Sequence, residues 1–305
     1  MSSRRRSGRL VSGWLVLDKP LAMTSTKAVS IIKRLFNAQK AGHAGTLDPL
    51  ASGCLPIALG EATKAMPQVL ESRKTYRFTV RWGIATDSDD AEGKIVVTSD
   101  LRPTLSQIQE AIPAFTGTIE QTPPAFSAVK VDGARAYSLA REGEIPQLQP
   151  RQVVIDRFEI IATDDDEASF EIDCGGGTYV RSLARDLGEL FGCHGHVSAL
   201  RRLSVGPFDE SKMIQLDQLR AAAEKGGEEA VDAHLAPVEI ALSSLVGLPL
   251  RERDAHRVLQ GQTVLLRGAS APVSGSAYAT GGSGQLLAVG EIEAGSFHPK
   301  RVFHL

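Results

Sequence analysis

The sequence predicts an α+β chain: a mixed, largely antiparallel sheet with flanking helices, followed by a small β-rich C-terminal domain. Three observations carry this. Helical and strand-like periods are interspersed without forming repeated βαβ units. The segment Thr75 to Trp82 alternates strictly, with Tyr76, Phe78, Val80 and Trp82 on one side and Thr75, Arg77, Thr79 and Arg81 on the other, the mark of a half-buried strand. From about residue 247 the chain becomes short apolar runs separated by the Ser/Gly/Ala-rich stretch 268–284. At 305 residues and 42% hydrophobic content, one large domain plus a smaller one is the natural organisation. The expected boundaries are a basic disordered arm at 1–11, a main domain at 12–245 and the small domain at 246–305.

In order along the chain, Trp14 to Leu17 reads as a short buried strand ended by Lys19-Pro20. Thr24 or Ser25 can cap a helix whose apolar residues Val29, Ile32 and Phe36 fall at helical spacing. Residues 41–53, AGHAGTLDPLASG, are small and Gly-rich and read as a structured loop. Helical patterns follow at 61–72 and 105–115, with a short helix at 134–142. Strands are expected near 151–162 and 169–174 around an acidic turn from Asp164 to Glu167. After Gly175-Gly176-Gly177, the run Tyr179 to Phe191 is helical, then a strand lies near 196–204 and a helix near 215–225. The stretch 221–230 reads as a linker or an exposed helix end. Val264-Leu265-Leu266, Leu286 to Val289 and Arg301-Val302-Phe303 are the strand candidates of the last part. No internal repeat is visible.

The net charge of −2 argues at first against a nucleic-acid partner. Its distribution reverses that. Residues 1–80 carry 13 Lys/Arg against 4 Asp/Glu, and the remainder 21 against 32. Only local potential matters within a Debye length, so a basic N-terminal part can face phosphate. Three cysteines, Cys54, Cys174 and Cys193, fit reduced thiols better than a disulfide framework. Cys193-His194-Gly195-His196 has no second Cys/His pair at ligand spacing, so no metal is expected. The start, Arg4-Arg5-Arg6 before apolar residues, lacks the length and cleavage site of a signal peptide. No run approaches a membrane-spanning length. A soluble, cytoplasmic protein is expected.

The segment Gly42-His43-Ala44-Gly45-Thr46-Leu47-Asp48-Pro49-Leu50-Ala51-Ser52-Gly53 is the most unusual. Its glycines permit positive φ and close backbone approach to a ligand, and Pro49 restricts Asp48 to an extended or turn conformation. A carboxylate so held can point into a cleft, but Gly, Asp and Pro are also ordinary turn residues. Taken alone, the loop leaves both readings open. Tyr76 is equally open between a core tyrosine and an active-site ring, and Arg181 between a helix-surface arginine and a carboxylate partner.

The loop with its continuation, GHAGTLDPLASGCLPIALGEATK, resembles the signature of the TruB family of tRNA pseudouridine synthases. LDKPLAMTSTKAV at 17–29, KTYRFTVRWGIATDSDDAEG at 74–93, TPPAFSAVKVDGARAYSLAREG at 122–143 and GGGTYVRSLARDLGELFGCHGHVSALRRLSVGPF at 175–208 resemble further family motifs in the family's order. The resemblance covers roughly residues 12–220. It implies a pseudouridine synthase fold at 12–245 and isomerisation of uridine 55 in the TΨC loop of tRNA, with the base flipped out. It implies that Asp48 is the catalytic carboxylate, with Tyr76 and Arg181 beside it as an active-site ring and the arginine paired with Asp48. It further implies that His43, Tyr179, Leu200, Asp90, Arg202 and Lys19 surround the substrate. In that scheme Leu200 lines the base pocket, Arg201-Arg202 can face phosphate, Asp90 can share Arg181, and Lys19 with Pro20 braces the floor. No cofactor and no guide RNA are expected, and the protein is expected to act as a monomer on the tRNA stem-loop. The last part matches only faintly the PUA-like RNA-binding domain that many members carry. Two competing readings remain: a pseudouridine synthase with another RNA target, and a non-catalytic tRNA-binding or folding module.

Overall fold

The computed structural model describes residues 8–127, 129–131, 134–137, 148–268 and 271–305. From the N-terminus, β1 (Gly13–Lys19) leads into α1 (Ser25–Leu35), β2 (Ala41–His43) and β3 (Ala51–Leu59). A 3₁₀ turn and α2 (Met66–Glu71) precede β4 (Lys74–Trp82). A two-stranded ribbon of β5 (Ile84–Thr86) and β6 (Ile95–Thr98) is followed by α3 (Leu105–Ala111) and β7 (Gly117–Gln121). A small hairpin joins β8 (Lys130–Val131) to β9 (Ala134–Arg135). Next come β10 (Arg151–Thr163), β11 (Glu167–Cys174), α4 (Val180–Leu190), β12 (Gly195–Val205), β13 (Ile214–Gln215) and α5 (Leu216–Asp232). The chain closes with β14 (Val246–Pro249), α6 (Glu252–Leu259), β15 (Val264–Leu265), β16 (Gly275–Thr280), β17 (Leu286–Glu293) and β18 (Ser296–Val302).

The main sheet runs β13-β1-β3-β12-β4-β11-β10-β7, with β2 paired beside β3. Only β1–β13 and β3–β12 are parallel, so the sheet is mixed and largely antiparallel. Period-two alternation decides its faces. On β4, Tyr76, Phe78, Val80 and Trp82 enter the core with α1, α3 and α4, while Arg77 meets Glu171 on the open face at 2.8 Å. On β1 both sides are buried. Leu15 and Leu17 join that same core, and Trp14 and Val16 join a second one on the opposite face. The second core includes Leu286, Val289 and Phe303, so the C-terminal five-stranded sheet, β14-β16-β17-β18-β15, shares side-chain packing with the main sheet.

Several sequence expectations change. The stretch 41–53 is strand at both ends, because Ala41 to His43 pair with Leu59 to Ile57. Only its middle is a loop. The helix expected at 134–142 begins instead with strand residues Ala134 and Arg135, and 138–142 lie outside the described residues. The stretch 221–230 is part of α5, kinked where Gly227 adopts a φ of 62°. Within the Ser/Gly/Ala-rich run lies β16, whose inward residues Ala277 and Ala279 are fully buried. Of the expected disordered arm, residues 1–7 lie outside the described residues. Arg9, however, is fixed: its backbone N–H bonds Asn37 at 2.7 Å and its guanidinium meets Asp232 at 2.6 Å.

Lys74, at the start of β4, is 6% exposed and donates from Nζ to the carbonyls of Leu70 (2.8 Å) and Ser72 (2.6 Å). Burial pushes its amine down to about 8. The unfolded chain holds that proton up to about pH 10, so between these values folding releases a proton and stability rises with pH. In urea unfolding, the stability difference between wild type and Lys74→Met is therefore expected to move in favour of wild type from pH 8 to 10. A constant difference would show that the amine is not held neutral in the folded protein.

Candidate active site

The backbone around Asp48 is tied residue by residue. Ser25, buried at the start of α1, accepts from the Leu47 N–H at 2.8 Å and donates to the Leu47 carbonyl at 2.9 Å. The Ala22 N–H bonds the Pro49 carbonyl, and the Ala51 N–H bonds that of Asp48. Thr24, not Ser25, caps α1 through the Lys27 N–H, which leaves the Ser25 hydroxyl for the loop. Leu47 is sunk in the main core, and the Asp48 side chain, 37% exposed, stands at its edge.

Arg181, in the first turn of α4, faces that carboxylate: its Nη2 lies 3.0 Å from Asp48 Oδ2. Its guanidinium also donates to the carbonyls of Ser88 (2.9 Å) and Phe126 (2.8 Å), and Nε lies 3.7 Å from Asp90 Oδ2. Asp90 is buried, and its other oxygen accepts from the Ser88 hydroxyl at 2.6 Å and the Glu92 N–H at 3.1 Å. One buried cation thus joins the Asp48 loop, the loop after β5 and the segment before β8. A guanidinium fork suits this because its donors are rigid and remain charged.

Tyr76 sits mid-sheet on β4 with only 8% of its surface exposed. Burial pushes its hydroxyl above the ordinary tyrosine value, and the nearby Arg202 charge opposes part of that rise. Lys19 is wholly buried, and Nζ donates to the carbonyls of Pro20 (2.8 Å) and Met23 (2.7 Å). Burial pushes its amine down to about 8, against the pull of the Asp48 charge. These bonds tie Lys19 to the turn that follows β1. For His43, on β2, burial and then the Arg202 charge push the ring's pKa below the ordinary histidine value. Leu200, half-buried on β12, lies between Ala51 of β3 and Phe78 of β4.

Arg202 differs from its expected place. It is 1% exposed, with Nε donating to the Cys54 carbonyl at 2.8 Å and Nη2 to that of Gly45 at 3.0 Å. Its head is turned into the protein under the Asp48 loop, so it does not face phosphate. Two residues escaped the sequence reading. Gln121, fully buried, accepts from the Tyr179 N–H at 2.8 Å and donates to the Tyr179 carbonyl at 3.0 Å, fixing the residue that precedes α4. Arg151 lies over the Tyr179 ring at 4.9 Å and donates to the Gly177 carbonyl. Both are remote in sequence from Tyr179, and neither belongs to a local pattern that spacing reveals.

The model of the TruB family pseudouridylate synthase N-terminal domain matches residues 33–180, and that of the tRNA pseudouridylate synthase B C-terminal domain matches residues 181–243. The tRNA pseudouridine synthase B of Bradyrhizobium diazoefficiens is 55% identical over 305 residues, covering 99% of this chain and 88% of the relative. The chain belongs to the TruB family. The tRNA pseudouridine synthase B of Agrobacterium fabrum is likewise 55% identical, over 98% of this chain and 97% of that protein. Among solved structures, a chain of a Cbf5–Nop10–Gar1 complex superposes with a TM-score of 0.75 at 26% identity, covering 96% of this chain and 84% of its own length. An H/ACA RNP bound to a substrate RNA containing 2′-deoxyuridine holds a chain of the same fold, with a TM-score of 0.75 at 24% identity. Among the described residues of this TruB-family chain, no His/Cys/Asp/Glu cluster able to hold a metal occurs, and the three cysteines are free and buried.

Proposed function

We propose that this TruB-family enzyme isomerises uridine 55 in the TΨC loop of tRNA, with the base flipped out and Asp48 as the catalytic carboxylate. Uridine isomerisation in tRNA is the activity of its relatives and of this chain; the position modified and the residue roles are our reading. The observation that carries it is the Arg181–Asp48 pair, 3.0 Å apart, in which the arginine is buried and the carboxylate keeps an open side. The reaction breaks the C1′–N1 bond, turns the base, and forms C1′–C5. The proton lost from C5 is balanced by one gained at N1, so neither redox change nor cofactor is needed. A carboxylate held by a guanidinium can serve an electron-poor C1′ as glycosidase carboxylates do. Tyr76 presents a ring for the uracil to stack on and a protonated hydroxyl for proton exchange. Leu200 and Tyr179 supply walls for a base taken out of its stack.

Phosphate contacts are assigned to the exposed side of α1 and its exit, where Lys27, Lys33, Arg34 and Lys40 are exposed. Residues 246–305 form a second RNA-touching unit in this reading, with Arg251, Arg253, Arg257, Lys300 and Arg301 exposed. The enzyme acts as a cytoplasmic monomer without guide RNA. Among the described residues no helix is long and apolar enough to cross a membrane. The direct test incubates purified protein with unmodified tRNA and maps pseudouridine; conversion at a different uridine would move the assignment. Tyr76→Phe is expected to reduce turnover on the order of 10²-fold or more, with tRNA affinity nearly unchanged. Equal losses in turnover and affinity would assign Tyr76 to binding.

A further inference from the structure

Arg202 is the largest buried charge in the sheet that the proposed chemistry leaves without a task. It lies on β12 between the strands that carry the site's two ends: its register partners are Gly53 on β3 and Tyr76 on β4. Directly opposed residues of an antiparallel pair have Cβ atoms about 5 Å apart on the same face, so Arg202 and Tyr76 are side-chain neighbours. Its donors reach the Gly45 carbonyl (3.0 Å), the Thr46 carbonyl (3.4 Å) and the Cys54 carbonyl (2.8 Å), which flank Asp48 on both sides. The backbone is shaped to admit it. Gly53 has a φ of 98°, and a Cβ there would fall 2.2 Å from the Arg202 carbonyl oxygen. Gly45, at a φ of 105°, would place a Cβ 3.2 Å from Nη1.

We propose that Arg202 is a positioning residue for isomerisation, fixing the Asp48 loop through the Gly45, Thr46 and Cys54 carbonyls and the Tyr76 side chain as its neighbour across β12 and β4. It touches no RNA. This rests on the assignment of Asp48 and Tyr76 above. A buried arginine held by backbone carbonyls and the Tyr76 hydroxyl, with no carboxylate partner among the described residues, is costly to maintain for stability alone, and its three carbonyl acceptors are gathered around one loop.

The test compares wild type with Arg202→Gln and Arg202→Lys by single-turnover release of tritium from C5-labelled uridine in tRNA, alongside tRNA binding across a salt series. Arg202→Gln is expected to slow the single-turnover rate about 10²-fold, as an ångström-scale misplacement does, with tRNA Kd within about threefold. Arg202→Lys recovers part of the rate. In a Tyr76→Phe background the Arg202→Gln loss shrinks, because the two act as a unit. If Arg202→Gln fails to fold, the same comparisons are made with Arg202→Lys. A Kd that weakens as much as the rate, with a salt slope shallower by about one, would make Arg202 a phosphate contact and overturn the proposal. So would full additivity with Tyr76→Phe, or a wild-type rate in the folded variants. Asp48→Asn run in parallel separates the two levels: if it is inactive while Arg202 variants are fully active, only the positioning role fails. If Asp48→Asn is active, the catalytic assignment fails and the positioning role with it.

Discussion

Asp48→Asn is expected to lower isomerisation by roughly 10⁴- to 10⁶-fold, the range seen when an enzyme loses a group its chemistry cannot replace, while the protein remains folded and binds tRNA. The structure separates these effects. The Asp48 side chain is 37% exposed, so its ion pair with Arg181 is worth about 1 kcal/mol or less to folding. Its backbone is held by Ser25, Ala22 and Ala51, none of which involves the carboxylate. Asparagine keeps an oxygen that accepts from Arg181 Nη2, so the loop keeps its shape and only the negative charge is lost. Rate and thermal midpoint measured on one preparation decide the matter. Retained turnover with an unchanged midpoint would remove Asp48 from the chemistry. A large drop in the midpoint would mean the lost rate reports unfolding.

Arg181→Met is expected to behave differently, damaging both activity and stability. Removing the cation leaves Asp90, 4% exposed, as a buried carboxylate with no counter-charge on Oδ2, and orphans the carbonyls of Ser88 and Phe126. Breaking a buried pair from one side costs about 3–5 kcal/mol, several times the figure for Asp48→Asn. Adding Asp90→Asn should restore a measurable part of that stability, since the stranded charge is then gone. It should not restore turnover, since Asp48 still lacks its partner. Denaturant midpoints of the single and double variants provide the comparison. A double variant no more stable than Arg181→Met would show that Asp90 is not the stranded charge.

How much of this was legible in the sequence depends on whether a residue's role is local. The β4 alternation could be read because one face packs on α1 and α4 and the other meets solvent, so side-chain chemistry repeats with the pleat. β16 could not, because its inward residues are alanines, too small to stand out among serines and glycines. The loop between β2 and β3 was legible as a place where a carboxylate is held, from Gly45 and Pro49. That Ser25 does the holding was not, since a serine at a helix start reads as a cap. Arg181 was recognisable from its motif, and its bonds to Ser88 and Phe126 were not, because they join elements 55 or more residues apart. Arg202 was misread for a physical reason: arginine is rarely buried, and only the sheet order shows it walled by β3 and β4.

The packing of Leu286, Val289 and Phe303 against Trp14 and Phe208 has a further consequence. Two RNA-touching units joined by a tether sample many separations and gain through effective concentration. Here the interval between the Asp48 loop and the C-terminal sheet is set by interlocked side chains, so under the proposed function it acts as a caliper. An RNA that spans both is gauged against one length, and a stem a base pair too long or too short meets a misfit at one end. Under the proposed function, selection by length would then rest on packed side chains rather than on a base contact.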